Sequence, residues 1–208
     1  MIADLCLVLL LDASGSVDAA EWELQAKATA DALSSPAIVE RIVSGPNHRI
    51  AVTALEWSSG QALIVPWTII AGEGDAKSVA LILATYRRQQ SGSTAVGDAL
   101  TAAAAAIKAG PDCLRHVVDI SSDGSSNAGS DPDSAVRALQ AMDVIVNALV
   151  IEDEPGVLDF YQSTVSGFVM PASWESYAQA IKAKLTLEIA GLDECRPAAQ
   201  RCQTSIVY

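Results

Sequence analysis

Five residues spread over three segments carry the chemistry open to this chain. Asp12, Ser14 and Ser16 stand at alternate positions in the stretch DASGS, Thr94 lies in the loop SGST, and Asp123 lies in SSDG. Their side chains end in hard oxygens, two carboxylates and three hydroxyls. Such a set suits a divalent cation: two negative charges balance the ion, neutral oxygens fill further positions, and water can complete an octahedron. Hydroxyl and water ligands leave net positive character on the metal, so a carboxylate from outside can become the last ligand. Mg²⁺ fits best by abundance and geometry, with Mn²⁺ and Ca²⁺ as alternatives. Each residue also has a plainer use. Ser14 and Ser16 can cap a following helix, and Thr94 can be an ordinary loop residue. The combination with Asp12 and Asp123 makes metal binding the stronger reading.

The elements that position these residues follow from the hydrophobic pattern. Residues 5–11 are an unbroken apolar run ending abruptly at Asp12. A run without polar alternation suits a strand buried on both faces of a parallel sheet. Loops at the carboxyl ends of such strands are where open α/β sheets place ligands. Residues 49–57 read as a second inner strand, and 115–121 as the strand leading to Asp123. Residues 144–151 and 167–170 supply two more. Residues 62–67 read as a short antiparallel strand that Pro66 favours at the sheet edge. Helices are predicted over 18–33, 35–43, 73–88, 95–109, 132–142, 155–163 and 173–187. Strands alternating with helices predict an α/β fold. Its six-stranded sheet is mainly parallel, with residues 5–11 central, one antiparallel edge strand and helices on both faces.

The chain has 208 residues, half of them hydrophobic, and a formal net charge of −12. That length and composition suit one globular domain over residues 1–190, followed by a tail at 191–208 with few patterned apolar residues. Truncation after residue 190 should therefore leave a cooperatively folded protein. The acidic balance argues against nucleic acid and against anionic membranes, and it fits attraction of cations. No run approaches the roughly 20 apolar residues of a spanning helix. The apolar start resembles a signal-peptide core, but Asp4 and the absence of Lys or Arg before it argue otherwise. A start on the central strand suggests instead a missing upstream segment.

Of the four cysteines, Cys195 and Cys202 lie close enough in sequence to close a small loop or to remain free thiols. If Asp12 and Asp123 share a level, Cys113 lies four residues lower than Cys6. That is roughly 13 Å along a strand and beyond disulfide reach. Cys6 then reads as a buried small hydrophobe. Glu56 ends an apolar strand beside Trp57; it is either a rim residue of the metal site or an ordinary acid in solvent. His48 and His116 have no matching His or Cys cluster, which speaks against zinc and against a catalytic triad. The four Trp residues read as core or half-buried packing.

DASGS matches the D-x-S-x-S signature of von Willebrand factor type A (VWA) domains. The metal-ion-dependent adhesion site (MIDAS) of that family adds a Thr and an Asp from two later loops, as Thr94 and Asp123 do here. The resemblance covers about residues 3–190 and implies a Rossmann-like VWA fold. It further implies a metal held by Asp12, Ser14, Ser16, Thr94 and Asp123, and a partner protein whose Asp or Glu docks on that metal. More narrowly, RIAVTALEWSS, VPWTII and AIKAKLTLEIAG resemble a bacterial subfamily known only as a domain of unknown function, whose members are usually exported. The rival reading is a Mg²⁺-dependent phosphoryl-transfer hydrolase with Asp12 as nucleophile. Such enzymes commonly place a second acid two residues after the nucleophile, where this chain has Ser14. A metal-free structural relative is the third reading.

Overall fold

Strand β1 (Cys6–Asp12) is buried along its whole length and lies inside a six-stranded sheet. The computed structural model describes residues 2–191. The other strands are β2 (Ile50–Trp57), β3 (Gln61–Ile70), β4 (His116–Ser122), β5 (Val144–Ile151) and β6 (Val169–Ala172), in the spatial order β3-β2-β1-β4-β5-β6. All neighbours pair in parallel except β2 and β3. The helices are α1 (Ala19–Leu33), α2 (Pro36–Val43), α3 (Glu73–Thr85), α4 (Val96–Ala109), α5 (Pro132–Gln140), α6 (Val157–Thr164) and α7 (Tyr177–Ala190).

The unbroken run of β1 serves two cores at once. Leu7, Leu9 and Leu11 pack into a layer with side chains of α1, α2, α3 and α7. Val8 and Leu10 point the other way, into a layer built by α4, α5 and α6. Alternation is lost from the sequence because both faces of the strand are dry. Each buried leucine contributes about 2 kcal/mol of apolar transfer.

The edge strand is longer than the expected six residues, because Pro66 does not end it. Pro66 is exposed, and the ladder to β2 shifts register between Val52 and Ala54 and again between Ala54 and Leu55. Thr53 Oγ1 donates to the Val65 carbonyl at 2.7 Å across the irregularity. A bulged edge tolerates the missing proline N–H. Helix α3 stops at Thr85, so residues 86–90 form a non-helical connection.

Cys6 and Cys113 form a disulfide, with Cα atoms 5.6 Å apart. This corrects the expectation that Cys6 is an isolated apolar residue. The straight-strand distance fails because neither cysteine's approach is straight. Strand β4 begins only at His116, level with Cys6. Before it the chain bends at Leu114, and Cys113 bridges to Ala3, itself followed by a bend at Asp4. Folding back over those bends closes a gap that an extended strand would keep open. Cys195, Cys202 and the rest of the predicted tail from residue 192 lie outside the described residues.

A buried ionic cluster lies between the sheet and α7. Lys184 Nζ is 2.6 Å from Asp119 Oδ1 of β4 and 2.6 Å from Glu188 Oε1, one helical turn along α7. Asn147 of β5 donates to the same Glu188 oxygen at 2.9 Å. Burial, followed by the nearby Asp119 charge, pushes the Glu188 carboxyl up to about 8 against the opposing pull of Lys184. Among the described residues no other hydrogen bond reaches either oxygen of Asp119. Lys184→Met should leave Asp119 unpaired at a cost of about 3–5 kcal/mol. For a chain of this size that is a fall of roughly 6–20 °C in melting temperature. Adding Asp119→Leu should recover most of it, and thermal melts of the single and double variants check both statements.

Candidate metal centre

The loop after β1 is organised around Asp12, which is 1% exposed. Its Oδ1 accepts the Ser14 N–H at 2.7 Å, and its Oδ2 accepts the Ser122 hydroxyl at 2.5 Å. Gln25, buried in α1, holds the Asp12 backbone from both sides. Its Oε1 accepts the Asp12 N–H at 3.2 Å, and its Nε2 donates to the Asp12 carbonyl at 2.9 Å. The two serines are spared a capping role because α1 is capped by Asp18. Its Oδ1 accepts the Ala20 and Glu21 N–H groups at 2.7 and 2.9 Å, while Glu21 Oε2 accepts the Asp18 N–H at 2.7 Å. This reciprocal box satisfies the helix start and leaves the Ser14 and Ser16 hydroxyls for other work.

Those hydroxyls join the first loop to the third. Ser14 Oγ lies 3.2 Å from Ser16 Oγ, and Ser16 donates to Asp123 Oδ1 at 2.7 Å. Asp123 follows the last residue of β4. Thr94 approaches from the second loop, just before α4. A methyl group at Gly124 would lie 3.5 Å from Thr94 Oγ1 and 4.0 Å from Ser16 Oγ, so the two hydroxyls flank that glycine. Asn127 fixes the Thr94 backbone, accepting its N–H through Oδ1 at 2.9 Å and donating its own N–H to the Thr94 carbonyl at 3.0 Å. Gly92 has φ +137°, and a Cβ there would lie 2.8 Å from Ser59 Oγ. Glycine is required for this conformation, which lets the Gly92 carbonyl accept the Gly15 N–H at 2.7 Å. The three loops thus enclose a cleft of about 260 Å³ lined by Ser16, Thr94, Gly124, Asn127 and Glu154 among others. The structure brings all five predicted residues to one end of the sheet. Ser16 is exposed, whereas Asp12, Ser14, Thr94 and Asp123 are buried.

Burial dominates the electrostatics. It raises the Asp12 carboxyl to about 6, against hydrogen bonds from Ser122 and Ser14; repulsion from Asp123 is the smallest contribution. Asp123 is also raised, first by burial and then by Asp153 and Glu154, against the Ser16 hydrogen bond. Two carboxylates held at a cost in a dry site, beside three hydroxyls and a cleft, match the donor chemistry of a hard divalent cation. Among the described residues, no group of three or more His, Cys, Asp or Glu side chains is placed to hold a metal. A site here must therefore rely on the hydroxyls.

Several residues of this region escape a reading of the sequence. Ser122 is visible only as the serine before SDG, and Gln25 only as a polar residue within an otherwise apolar helix face. Glu56 is the sharper case. It is fully buried, which corrects the expectation of an acid in solvent. Its Oε1 accepts the Gln89 N–H at 2.9 Å and the Tyr86 hydroxyl at 3.2 Å. Burial raises its carboxyl despite those hydrogen bonds. Its partners belong to the connection after α3, so it braces the site without lining the cleft.

A family model described as "Protein of unknown function (DUF1194)" matches residues 2–193. No curated protein matches the chain. Among solved structures, proximal thread matrix protein 1 from the mussel byssus, with a zinc-occupied MIDAS motif, superposes with a TM-score of 0.71 at 20% identity. That match covers 91% of this chain and 48% of the other. A von Willebrand factor type A protein from Catenulispora acidiphila gives 0.62 at 16% identity, over 91% of this chain and 43% of that one. The pilus adhesin SpaC from Lactobacillus rhamnosus GG gives 0.66 at 15% identity, over 92% and 31%. The chain thus spans half or less of each of these proteins, and at such identities the likeness establishes an α/β Rossmann-like fold of the VWA type. Among the described residues no helix is long and apolar enough to cross a membrane.

Proposed function

The chain belongs to this family of proteins of unknown function, and we propose that it is a divalent-metal-dependent protein-binding module of the adhesion type. Asp12, Ser14, Ser16, Thr94 and Asp123 would hold the ion, with Mg²⁺ the first choice and Mn²⁺ or Ca²⁺ as alternatives. The bound ion would supply an electrophilic position for a partner's Asp or Glu carboxylate. The observation that carries this reading is the hydroxyl chain from Ser14 through Ser16 to Asp123, with Thr94 facing the same cleft. A MIDAS in a fold neighbour supports it in general terms. The Cys6–Cys113 disulfide supports an exported protein, since such bonds persist in oxidising compartments.

The chain's own residues contribute three things. Ser122 and the Ser14 N–H orient the two oxygens of Asp12, Gln25 fixes its backbone, and the Ser16 hydroxyl ties the first loop to Asp123. A phosphoryl-transfer reading draws less support. Both oxygens of Asp12 are already hydrogen-bonded at depth, and among the described residues the lining of the cleft includes no Lys or Arg. Assays for phosphatase turnover with Mg²⁺ should therefore stay at background. Calorimetry with Mg²⁺ and Mn²⁺, paired with a metal-dependent pull-down, tests the module directly. Binding of neither ion would end the proposal.

Metal binding should also follow the titration of Asp12. Its carboxyl is raised to about 6 in the folded chain. Protons therefore compete with the metal below about pH 6, and affinity should fall there by about tenfold per pH unit. The metal-free protein should show the opposite trend. A raised folded-state value contributes stability that is present below the unfolded value of 3.8 and lost as pH rises through about 6. That loss is about 3 kcal/mol. Melts at pH 4 to 8 with and without Mg²⁺ should diverge as pH rises.

A further inference from the structure

The connection between α3 and Thr94 devotes its one buried-side guanidinium to the neighbouring loop. Arg88 NH1 donates to the Val17 carbonyl at 2.6 Å, and NH2 donates to the carbonyls of Ala13 and Ser14 at 2.5 and 2.7 Å. Its Nε donates to the Gln90 carbonyl at 2.9 Å, which holds the fork in its own loop. The next residue is held as well, because Glu56 accepts the Gln89 N–H through both carboxylate oxygens, at 2.9 and 3.1 Å. Arg88 is thus anchored from behind by β2 and reaches across to three carbonyls of residues 13–17.

Those carbonyls bracket the residues that matter. The Ala13 and Ser14 carbonyls lie on either side of the Ser14 backbone, whose N–H binds Asp12 Oδ1 and whose hydroxyl meets Ser16. Fixing both peptides fixes the direction of the Ser14 side chain. The planar fork matters, since a lysine ammonium lacks the rigid spread of donors that spans three carbonyls. Without it the loop would have to be ordered at the moment of binding, and that entropy would be subtracted from affinity.

We propose that Arg88 is a positioning residue that pre-assembles the DASGS loop for metal, through hydrogen bonds to the backbone of Ala13, Ser14 and Val17. This rests on the metal-binding reading above. Outer partners of metal ligands typically change affinity 10–100-fold when removed, and Arg88→Gln should weaken Mg²⁺ binding within that range. Arg88→Lys should weaken it less, by several-fold. Leu139→Ala, in the core layer on the other face of the sheet, lowers stability without touching the loop and should leave affinity unchanged.

The experiment is Mg²⁺ and Mn²⁺ calorimetry on the full chain and the three variants, well below every melting point, with Mn²⁺ spin-resonance spectra of each. A distorted Mn²⁺ signal in the Arg88 variants alone, with weaker binding, supports the proposal. If the wild type binds metal and the Arg88 variants bind within twofold of it, the clamp is overturned while the metal centre stands. Equal weakening by Leu139→Ala also overturns it, since the effect would then be general stability. If Arg88→Gln does not fold, Arg88→Lys carries the test, and unchanged affinity in that variant overturns the proposal. A wild type that binds neither ion removes the premise and the proposal together, and it does so before any variant is compared.

Discussion

Replacing Asp12 with alanine is expected to abolish the rise in melting temperature that the proposed site predicts for the wild-type protein with Mg²⁺. A ligand that binds only the native state stabilises it by about 2.7 kcal/mol at one hundred times its dissociation constant. For a chain of this length that is a shift of roughly 5–10 °C. Asp12 is one of two carboxylates among the five proposed donors, so its loss would halve the negative charge that meets the ion. The metal-free fold should change little. Alanine removes a carboxyl raised to about 6 by burial, a gain above that pH, and it strands the Ser122 hydroxyl and the Ser14 N–H, a cost. Thermal melts of both proteins with and without Mg²⁺ measure the difference. An Asp12→Ala protein that keeps the wild-type shift would show that the ion, if bound, sits elsewhere.

The second large effect concerns the disulfide. Cys6 and Cys113 are 107 residues apart in the chain, and a cross-link over such a loop restricts the unfolded state by about 4–5 kcal/mol. Cys6→Ala with Cys113→Ala should therefore melt roughly 8–20 °C lower than the oxidised wild type. The bond lies at the amino ends of β1 and β4, whereas Asp12 and Asp123 lie at their carboxyl ends. The folded double variant should thus bind Mg²⁺ within about twofold of wild type, because six consecutive pairs between the strands still set the register. Calorimetric melts of oxidised, reduced and doubly substituted protein check the first statement, and titration of the last checks the second. A melting point that is unmoved would mean that the ladder and its two core layers account for nearly all the stability.

What could be read from the chain was whatever writes itself in side-chain type. The dry run of β1 announces a central strand because two faces need apolar residues, and its sudden end in DASGS announces a polar loop. The five oxygen donors are legible for the same reason. Features built on backbone partners leave no such mark. Glu56 looks like a stray acid because its acceptors' partners are an N–H and a tyrosine hydroxyl thirty or more residues away. Arg88 looks like a solvated helix residue because it binds carbonyls, which every residue has. Lys184 and Glu188, one turn apart on α7, have the spacing of a surface ion pair; only the fold shows Asp119 and Asn147 beneath them. The cysteine pair is invisible in the sequence because the bends at Asp4 and Leu114 that bring it together carry no strong turn signature.

The placement of the disulfide also bears on how the domain would carry tension. A partner held at the proposed site would load the carboxyl ends of β1 and β4. Parallel neighbours loaded lengthwise resist by shear, with their evenly spaced hydrogen bonds sharing the force instead of parting one at a time. At the far end of the same two strands the Cys6–Cys113 bond prevents them from sliding past each other altogether.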